Sequence, residues 1–272
     1  MSKTWFITGA SRGFGRVWTE AALQRGDRVA ATARDVSALD ALVAAYGDQI
    51  LALELDVTDK SGAEAAVRKA SEHFGRIDVL VNNAGYGVLG AMEEVSEEQL
   101  RAVVETNLLG PVWLTRAVLP IMRAQGRGHI LQVSSQTVHF QVPTLGAYQI
   151  SKWGLEGFSE SLAAEVAGHG IRVTIIEPEG YTTDWGGSSL VVAEPIPAYG
   201  DVHAAVQEMM ADIELGDPLA TAAAIFAVVD AEEPPLRIFL GRTPQALAKQ
   251  THAARIAEWD AWEPVSVAAF GR

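Results

Sequence analysis

Short apolar runs alternate along this chain with longer amphipathic stretches. The runs at Thr4–Thr8, Arg28–Ala33, Ile50–Glu54, Val79–Val81, His129–Val133, Arg172–Ile176 and Leu236–Leu240 are almost continuously apolar, as strands buried on both faces are. Between and after them, helical spacing of apolar positions predicts helices over Gly13–Gln24, Val36–Tyr46, Ser61–His73, Glu97–Ala124, Ala147–Val166, Thr221–Asp230 and Pro244–Trp259. Gly26, Gly47, Gly75 and Gly126 stand just past helix ends, where a left-handed cap costs glycine least. Strand and helix in strict alternation predict an α/β fold: one doubly wound parallel sheet of about seven strands with helices on both faces. Thr182–Gly216 breaks the rhythm with Trp185-Gly186-Gly187-Ser188-Ser189, Pro195-Ile196-Pro197 and a short helical pattern at Ala204–Asp212. An irregular stretch of this length in an α/β domain reads as a lid over the functional cleft, so residues 1–272 are expected to form one domain with a lid at about 182–216.

Composition narrows the classes that such a fold can serve. The 272 residues are 49% hydrophobic and carry a net charge of −13, a field that repels nucleic acid and anionic membrane surfaces. No cysteine is present, so disulfides, thiolate metal sites and a thiol nucleophile are excluded. The six histidines show no metal-ligand spacing, and no metal is expected. No apolar run reaches the roughly 20 residues that span a bilayer, and Met1–Thr4 runs into Trp5-Phe6-Ile7 without the plan of a signal peptide. A cytoplasmic protein with no membrane or nucleic-acid partner is the expectation.

The chemistry begins at the first strand. Gly9-Ala10-Ser11-Arg12-Gly13-Phe14-Gly15 follows it and opens a helix, with glycines spaced G-x-x-x-G-x-G. Such a turn brings backbone close to a pyrophosphate and aims the helix N-terminus at it. At the end of the second strand, where an acid selects NAD and cations select NADP, stand Ala33 and Arg34. With Arg12 in the glycine turn, two guanidiniums can converge on a 2′-phosphate, which favours NADP. Asp35, 20 residues after Gly15, is the competing feature that would favour NAD, although it also suits the start of the next helix. Asp56-Val57 and Asn82-Asn83-Ala84-Gly85 close the third and fourth strands at the edge where open α/β sheets bind ligands.

Tyr148 and Lys152 stand at i and i+4 on one helix face, and Ser135 precedes the tyrosine by 13 residues at the end of the fifth run. A phenol with a cation one turn away is a candidate acid/base for a carbonyl or alcohol, and the cation is expected to pull its pKa down. Taken in order, Thr8-Gly9-Ala10-Ser11-Arg12-Gly13-Phe14-Gly15, Asp56-Val57, Asn82-Asn83-Ala84-Gly85, Asn107, Ser135 and Tyr148–Lys152 resemble the short-chain dehydrogenase/reductase family over the whole chain. Leu236–Gly241 and Trp259–Glu263 are similar to a 17β-hydroxysteroid- and retinol-dehydrogenase-like branch. The resemblance implies a Rossmann-type fold in which Tyr148 exchanges a proton with the substrate oxygen and Ser135 hydrogen-bonds that oxygen. Lys152 would bond the nicotinamide ribose and lower the tyrosine pKa, and Asn107 would hold a relay water. It also implies that Arg12 and Arg34 hold the NADP phosphate, that Asp56 and Val57 meet adenine, and that Asn83, Ala84 and Gly85 line the adenosine ribose. The carboxamide would lie against Pro178, Gly180, the Tyr181 backbone and the Thr183 hydroxyl.

One departure stands out. The family pattern has glycine after the proline of the sixth strand, and this chain has Glu179. Its carboxylate is open to three roles: solvation, pairing with a cation, or substrate contact. For the substrate, Trp185, Leu190, Val191, Val192, Ile196, Tyr199, Met209 and Met210 from the lid, and His139, Phe140, Val142 and Leu145 after Ser135, are the candidate apolar walls, of which about half would serve the core or an interface. They suit a bulky apolar or aromatic carbonyl compound. Glu93-Glu94 and Glu97-Glu98 read as a solvated helix start. The two long helices after Glu97 and Ala147 are apolar on more than one face, and by resemblance they build a homodimer or homotetramer interface. The expected function is NADP(H)-dependent interconversion of a ketone or aldehyde with an alcohol. A lyase or epimerase, kept open by Glu179, and a non-redox NADP-binding regulator are the alternatives.

Overall fold

The computed structural model describes residues 2–187, 189–211 and 213–271; Ser188 and Asp212 of the expected lid lie outside the described residues. The strands are β1 (Thr4–Ile7), β2 (Arg28–Ala33), β3 (Ile50–Glu54), β4 (Val79–Asn82), β5 (Gly87–Leu89), β6 (Gly128–Val133), β7 (Ile171–Pro178), β8 (Leu190–Val192) and β9 (Arg237–Leu240). Seven of them form one wholly parallel sheet in the order β3-β2-β1-β4-β6-β7-β9. These seven match the apolar runs of the sequence to within two residues at either end. The register sets Trp5 beside Val29 and Val79, so the centre of the sheet is built from neighbours with no access to water.

Helices cover both faces: α1 (Gly13–Gln24), α2 (Asp40–Tyr46), α3 (Lys60–Phe74), α4 (Glu97–Val104), α5 (Gly110–Gln125), α6 (Gly146–Val166), α7 (Gly200–Ala211), α8 (Thr221–Asp230) and α9 (Pro244–Ala269). Trp18, Leu23 and Ile225 close the core on one face, and Val67, Leu114, Val118 and Leu162 close it on the other. Gly75 and Gly126 take left-handed backbone at the ends of α3 and α5.

Three differences from the sequence reading bear on the site. The stretch expected as one helix over Glu97–Ala124 is α4 and α5 joined by a π-turn at Glu105–Leu109, with Asn107 buried in it. A second, two-stranded parallel sheet pairs β5 with β8, and so ties the lid to the loop that follows β4. The final helix runs ten residues beyond the expected end at Trp259, and nearly all of it is exposed.

Candidate active site

At the carboxyl edge of the sheet the turn after β1 is held by side chains from the next strand over. Thr8 Oγ1 accepts from the backbone N–H groups of Asn83 and Ala84, each at 3.0 Å, and Asn83 Nδ2 donates to the Thr8 carbonyl at 2.9 Å. These bonds fix Gly9 against Ala84, where a Cβ on Gly9 would come within 3.0 Å of the Ala84 backbone at a left-handed φ of 65°. Gly15 is tighter still, since a Cβ there would lie 2.3 Å from the Gly9 carbonyl oxygen. Helix α1 starts from Arg12 with no side-chain hydrogen bond to its first amides and no acidic residue in its first turn. Its first N–H groups and the positive end of its dipole therefore suit an anion, which fits the pyrophosphate of a dinucleotide. Ser11 lies in the same turn, and Phe14 stacks on Trp18 and meets the Tyr181 ring edge-on at 5.0 Å, joining the turn to the segment after β7. Thr183 faces Gly13 across a gap that a Cβ would fill at 3.7 Å.

Arg12 and Arg34 are both exposed. The Arg34 guanidinium lies near Tyr86, whose phenol burial pushes up and the cation opposes. Asp35 is engaged in its own loop: Oδ1 accepts from Ser37 N at 3.0 Å and from the Ser37 hydroxyl at 2.6 Å, which holds its carboxyl below the usual range. Asp56 forms the same kind of turn with Thr58, and Val57 is buried beneath Gly110.

Tyr148, Lys152, Ser135 and Asn107 converge. Tyr148 and Lys152 both lie on the buried face of α6, and the Lys152 ammonium is 5.7 Å from the centre of the tyrosine ring. Its Nζ donates to the Val133 carbonyl at 2.7 Å. Asn107 is held on both sides: Oδ1 accepts from Tyr86 N at 3.0 Å, and Nδ2 donates to the Tyr86 carbonyl at 2.9 Å and to Ser151 Oγ at 3.1 Å. A Cβ on Gly85 would meet Asn107 Oδ1 at 2.9 Å and Lys152 Nζ at 3.6 Å, so only glycine lets these two groups share that corner. Ser135 opens a short turn, its Oγ accepting from Thr137 N and Thr137 Oγ1 at 3.2 and 3.0 Å, and its hydroxyl acts on Tyr148 to favour the ionised phenol.

Burial pushes the Tyr148 hydroxyl up to about 12, with Ser135 opposing. This reverses the expectation from the nearby lysine, because removing a phenolate from water outweighs a cation that is itself buried and bonded elsewhere. The tyrosine is consequently a neutral phenol at physiological pH. Burial likewise pulls Lys152 down to about 8, and Glu156 opposes the shift.

The apolar side of Tyr148 is smaller than the sequence suggested. Val142 and Leu145 pack directly on it, with Leu89, Phe140 and Trp185 at their margin, and the Trp185 ring meets Tyr148 edge-on at 5.4 Å. Gly87 makes room for Trp185, since a Cβ there would come 2.8 Å from its ring. Val191, Val192, Met209 and Met210 face solvent, Tyr199 donates to Glu93 at 2.7 Å, and His139 bonds Glu177 at 2.8 Å.

Two acidic residues take roles that the sequence reading did not give them. Glu179 does not extend into the Tyr148 pocket; its carboxylate accepts from Arg242 N at 2.8 Å and from Thr243 N and Oγ1, at the start of α9. Glu94 is not solvated: its side chain is enclosed and accepts from Ala91 N at 2.6 Å, Ile196 N at 2.8 Å and His203 Nε2 at 2.8 Å, which clasps the lid. Pro178 ends β7 beside Leu240, and Gly180 and Tyr181 are tied to Gly216 through Gly216 N to the Gly180 carbonyl at 2.9 Å and a backbone bridge. Thr8 was named in the glycine-turn motif without a role, and Tyr86 and Glu156 were missed. Glu156 alone had a signal, the same four-residue spacing from Lys152 that links Lys152 to Tyr148.

A family model described as short chain dehydrogenase matches residues 3–190, which include every residue of the Gly9, Asn83, Asn107, Ser135 and Tyr148 clusters. Leu236–Gly241 and Trp259–Glu263 lie beyond that match. Oxidoreductase BOA17 of Botryotinia fuckeliana is 43% identical over 274 residues, covering 98% of this chain and 99% of that protein. A solved short-chain dehydrogenase from Streptomyces avermitilis superposes with a TM-score of 0.92 at 41% identity, over 98% of both chains. A short-chain dehydrogenase/reductase from Burkholderia phymatum, solved in complex with NAD, superposes at 0.82 and 25% identity, over 94% of this chain and 95% of that one. The Gly9 turn and the Tyr148–Lys152 pair thus sit in a match that spans more than half the chain, and the protein belongs to the short chain dehydrogenase family.

Proposed function

We propose that this chain is an NADP(H)-dependent oxidoreductase that interconverts a ketone or aldehyde with an alcohol, acting on a bulky apolar or aromatic carbonyl compound. The observation that carries the reading is Tyr148: a buried phenol with the Ser135 hydroxyl acting on it, the Lys152 ammonium 5.7 Å from its ring centre and an apolar wall of Val142, Leu145, Phe140 and Trp185 beside it. A bound nicotinamide dinucleotide supplies the hydride. As negative charge builds on the carbonyl oxygen, Tyr148 gives it the hydroxyl proton and the Ser135 hydroxyl donates a second bond, both worth more in the transition state than in the ground state. Lys152 spends one of its three N–H groups on Val133 and keeps two for ribose hydroxyls. Asn107, locked by Tyr86 and Ser151 inside a π-turn, is the residue assigned to hold the relay water.

Preference for NADP is supported by Arg12 and Arg34, exposed at the carboxyl edge, and by Asp35, whose carboxylate is engaged by Ser37. Asp56, Val57, Asn83, Ala84 and Gly85 are assigned to the adenosine, and Pro178, Gly180, Tyr181 and Thr183 to the carboxamide. The exposed Ile150 and Trp153 on α6 support a homodimer or homotetramer formed on that face. A lyase or epimerase loses its distinguishing residue, because Glu179 is bonded to Arg242 and Thr243. The test is oxidation of NADPH and NADH followed at steady state over a panel of aromatic and long-chain ketones and aldehydes. Turnover with NADPH preferred is expected, and no turnover with any carbonyl overturns the reading.

A further inference from the structure

One turn beyond Lys152 on the buried face of α6 lies a carboxylate that the reaction proposed above leaves without a role. Glu156 is 5% exposed, and its Oε2 accepts from Arg237 Nε of β9 at 3.1 Å. The same Nε lies 3.3 Å from Oε1 of Glu177 on β7, a residue with no exposure at all. The outer end of the guanidinium pairs with Glu160, which is exposed. On the far side, Glu177 Oε2 meets His139 Nε2 at 2.8 Å, and His139 Nδ1 meets His252 Nε2 of α9 at 3.1 Å. The Ser134 hydroxyl faces Glu156 from the end of β6.

The charges of this cluster do not close by themselves. Two buried carboxylates share one guanidinium, and an uncompensated buried charge is among the costliest features a core can hold. Glu177 has His139 Nε2 against its other oxygen, and the cation one turn from Glu156 on the same buried face of α6 is Lys152, at i−4, where side chains of one helix face are neighbours. The influence runs both ways. Burial drives Lys152 toward its neutral form and Glu156 opposes it; burial drives Glu156 toward its neutral form, Ser134 opposes, Glu177 adds to the push, and Arg237 opposes.

We propose that Glu156 is a positioning residue whose carboxylate is the buried counter-charge of Lys152, with Glu177 and Arg237 setting its strength. The inference rests on the reading that Lys152 serves Tyr148. Its consequence is that the lysine beside the proton donor stays an ammonium through neutral pH by virtue of a residue that touches neither substrate nor cofactor.

The experiment is an NMR titration of the 13C-labelled lysine side chains in the full chain without added nucleotide, with Lys152 assigned by the signal lost in Lys152→Met. The Lys152 midpoint should lie near 8. In Glu156→Gln it should fall by about one pH unit, a tenfold change in proton affinity, and in Glu156→Asp it should lie between the two. Should Glu156→Gln fail to fold by circular dichroism, Glu156→Asp carries the test. A midpoint unmoved in every folded variant overturns the proposal. The alkaline limb of kcat/KM should follow the lysine midpoint across the series, and a loss of kcat with an unmoved pH profile would reduce Glu156 to a structural role. A moving midpoint in a protein that reduces no carbonyl would leave the counter-charge standing and sink the reaction instead.

Discussion

The carboxyl edge of the main sheet and the segment from Thr182 to Gly216 meet at Tyr148, and they are held by opposite means. On the sheet side, Trp5, Phe6, Ile7, Leu80, Val81, Ile130 and Leu131 have no exposure, and the site groups that project from that edge are fixed by bonds from several strands at once. On the lid side, Val191, Val192, Met209 and Met210 are between 36% and 61% exposed. That segment is tied down by a three-residue strand pair, by the Gly180–Gly216 backbone bonds and by Glu94. Under the proposed function, chemistry that needs sub-ångström placement rests on the first, and substrate fit is left to the second, where few buried contacts make local opening cheap.

The strongest test of this division is Tyr148→Phe. If the sheet side carries the chemistry, carbonyl reduction falls by about 10²- to 10⁴-fold, the range of a lost general acid, while the fold and nucleotide binding persist. Intact turnover would move the proton donor elsewhere and dissolve the comparison.

A second test probes the sheet without touching the site. His129 opens the register of β6 with β4, and its Nε2 meets Thr174 Oγ1 at 2.9 Å. Burial pulls it down to about 4, with Lys3 and Arg172 adding to the shift. The folded protein therefore binds this proton less readily than the unfolded chain, whose histidine titrates near 6.5. Above that pH the group costs nothing, and stability is lost progressively as pH falls from about 6.5 to about 4, by up to ~3 kcal/mol. Urea unfolding of His129→Gln should show a flatter pH dependence across this window, and an unchanged slope would assign the acid sensitivity to other groups.

Arg34→Asp sharpens the cofactor half of the comparison. Loss of a charge-assisted bond and gain of repulsion should raise the KM for NADPH by about ten- to a hundredfold and leave NADH nearly unaffected. Equal losses would remove the phosphate clamp. On the lid side the effects should be smaller. Glu94→Gln weakens the acceptor for Ala91 N, Ile196 N and His203, and limited proteolysis within residues 182–216 should accelerate about tenfold while kcat is retained. Trp185→Ala should raise the KM for an aromatic ketone several-fold with little change in kcat, the mark of uniform binding. A larger fall in kcat than in affinity would show that the lid takes part in the chemistry.

What was legible in the sequence follows the same boundary. The seven sheet strands announce themselves because burial on both faces leaves unbroken apolar runs, and the Gly9, Asn83 and Tyr148 motifs are local in sequence, so spacing exposes them. The β5–β8 pair was not legible. Each strand is three residues long, and the partners lie about a hundred residues apart. Glu94 was misread and Glu179 left open because a carboxylate at a turn looks the same in sequence whether water or backbone amides receive it. The direction of the Tyr148 shift was missed for a related reason: spacing reveals the cation, and only the packed structure reveals the desolvation that outweighs it.

The π-turn at Glu105–Leu109 has a bearing on how this helix tolerates change in its length. Such a turn holds one residue more than an α-helical turn, so a single deletion there would let α4 and α5 fuse into one regular helix. That straightening would be favourable for the helix and ruinous for the corner by Gly85. The flanking turns would keep their faces, and the local change would carry Asn107 off Tyr86 and Ser151. The locally irregular backbone is in this sense the part of the helix that length variation is least able to touch.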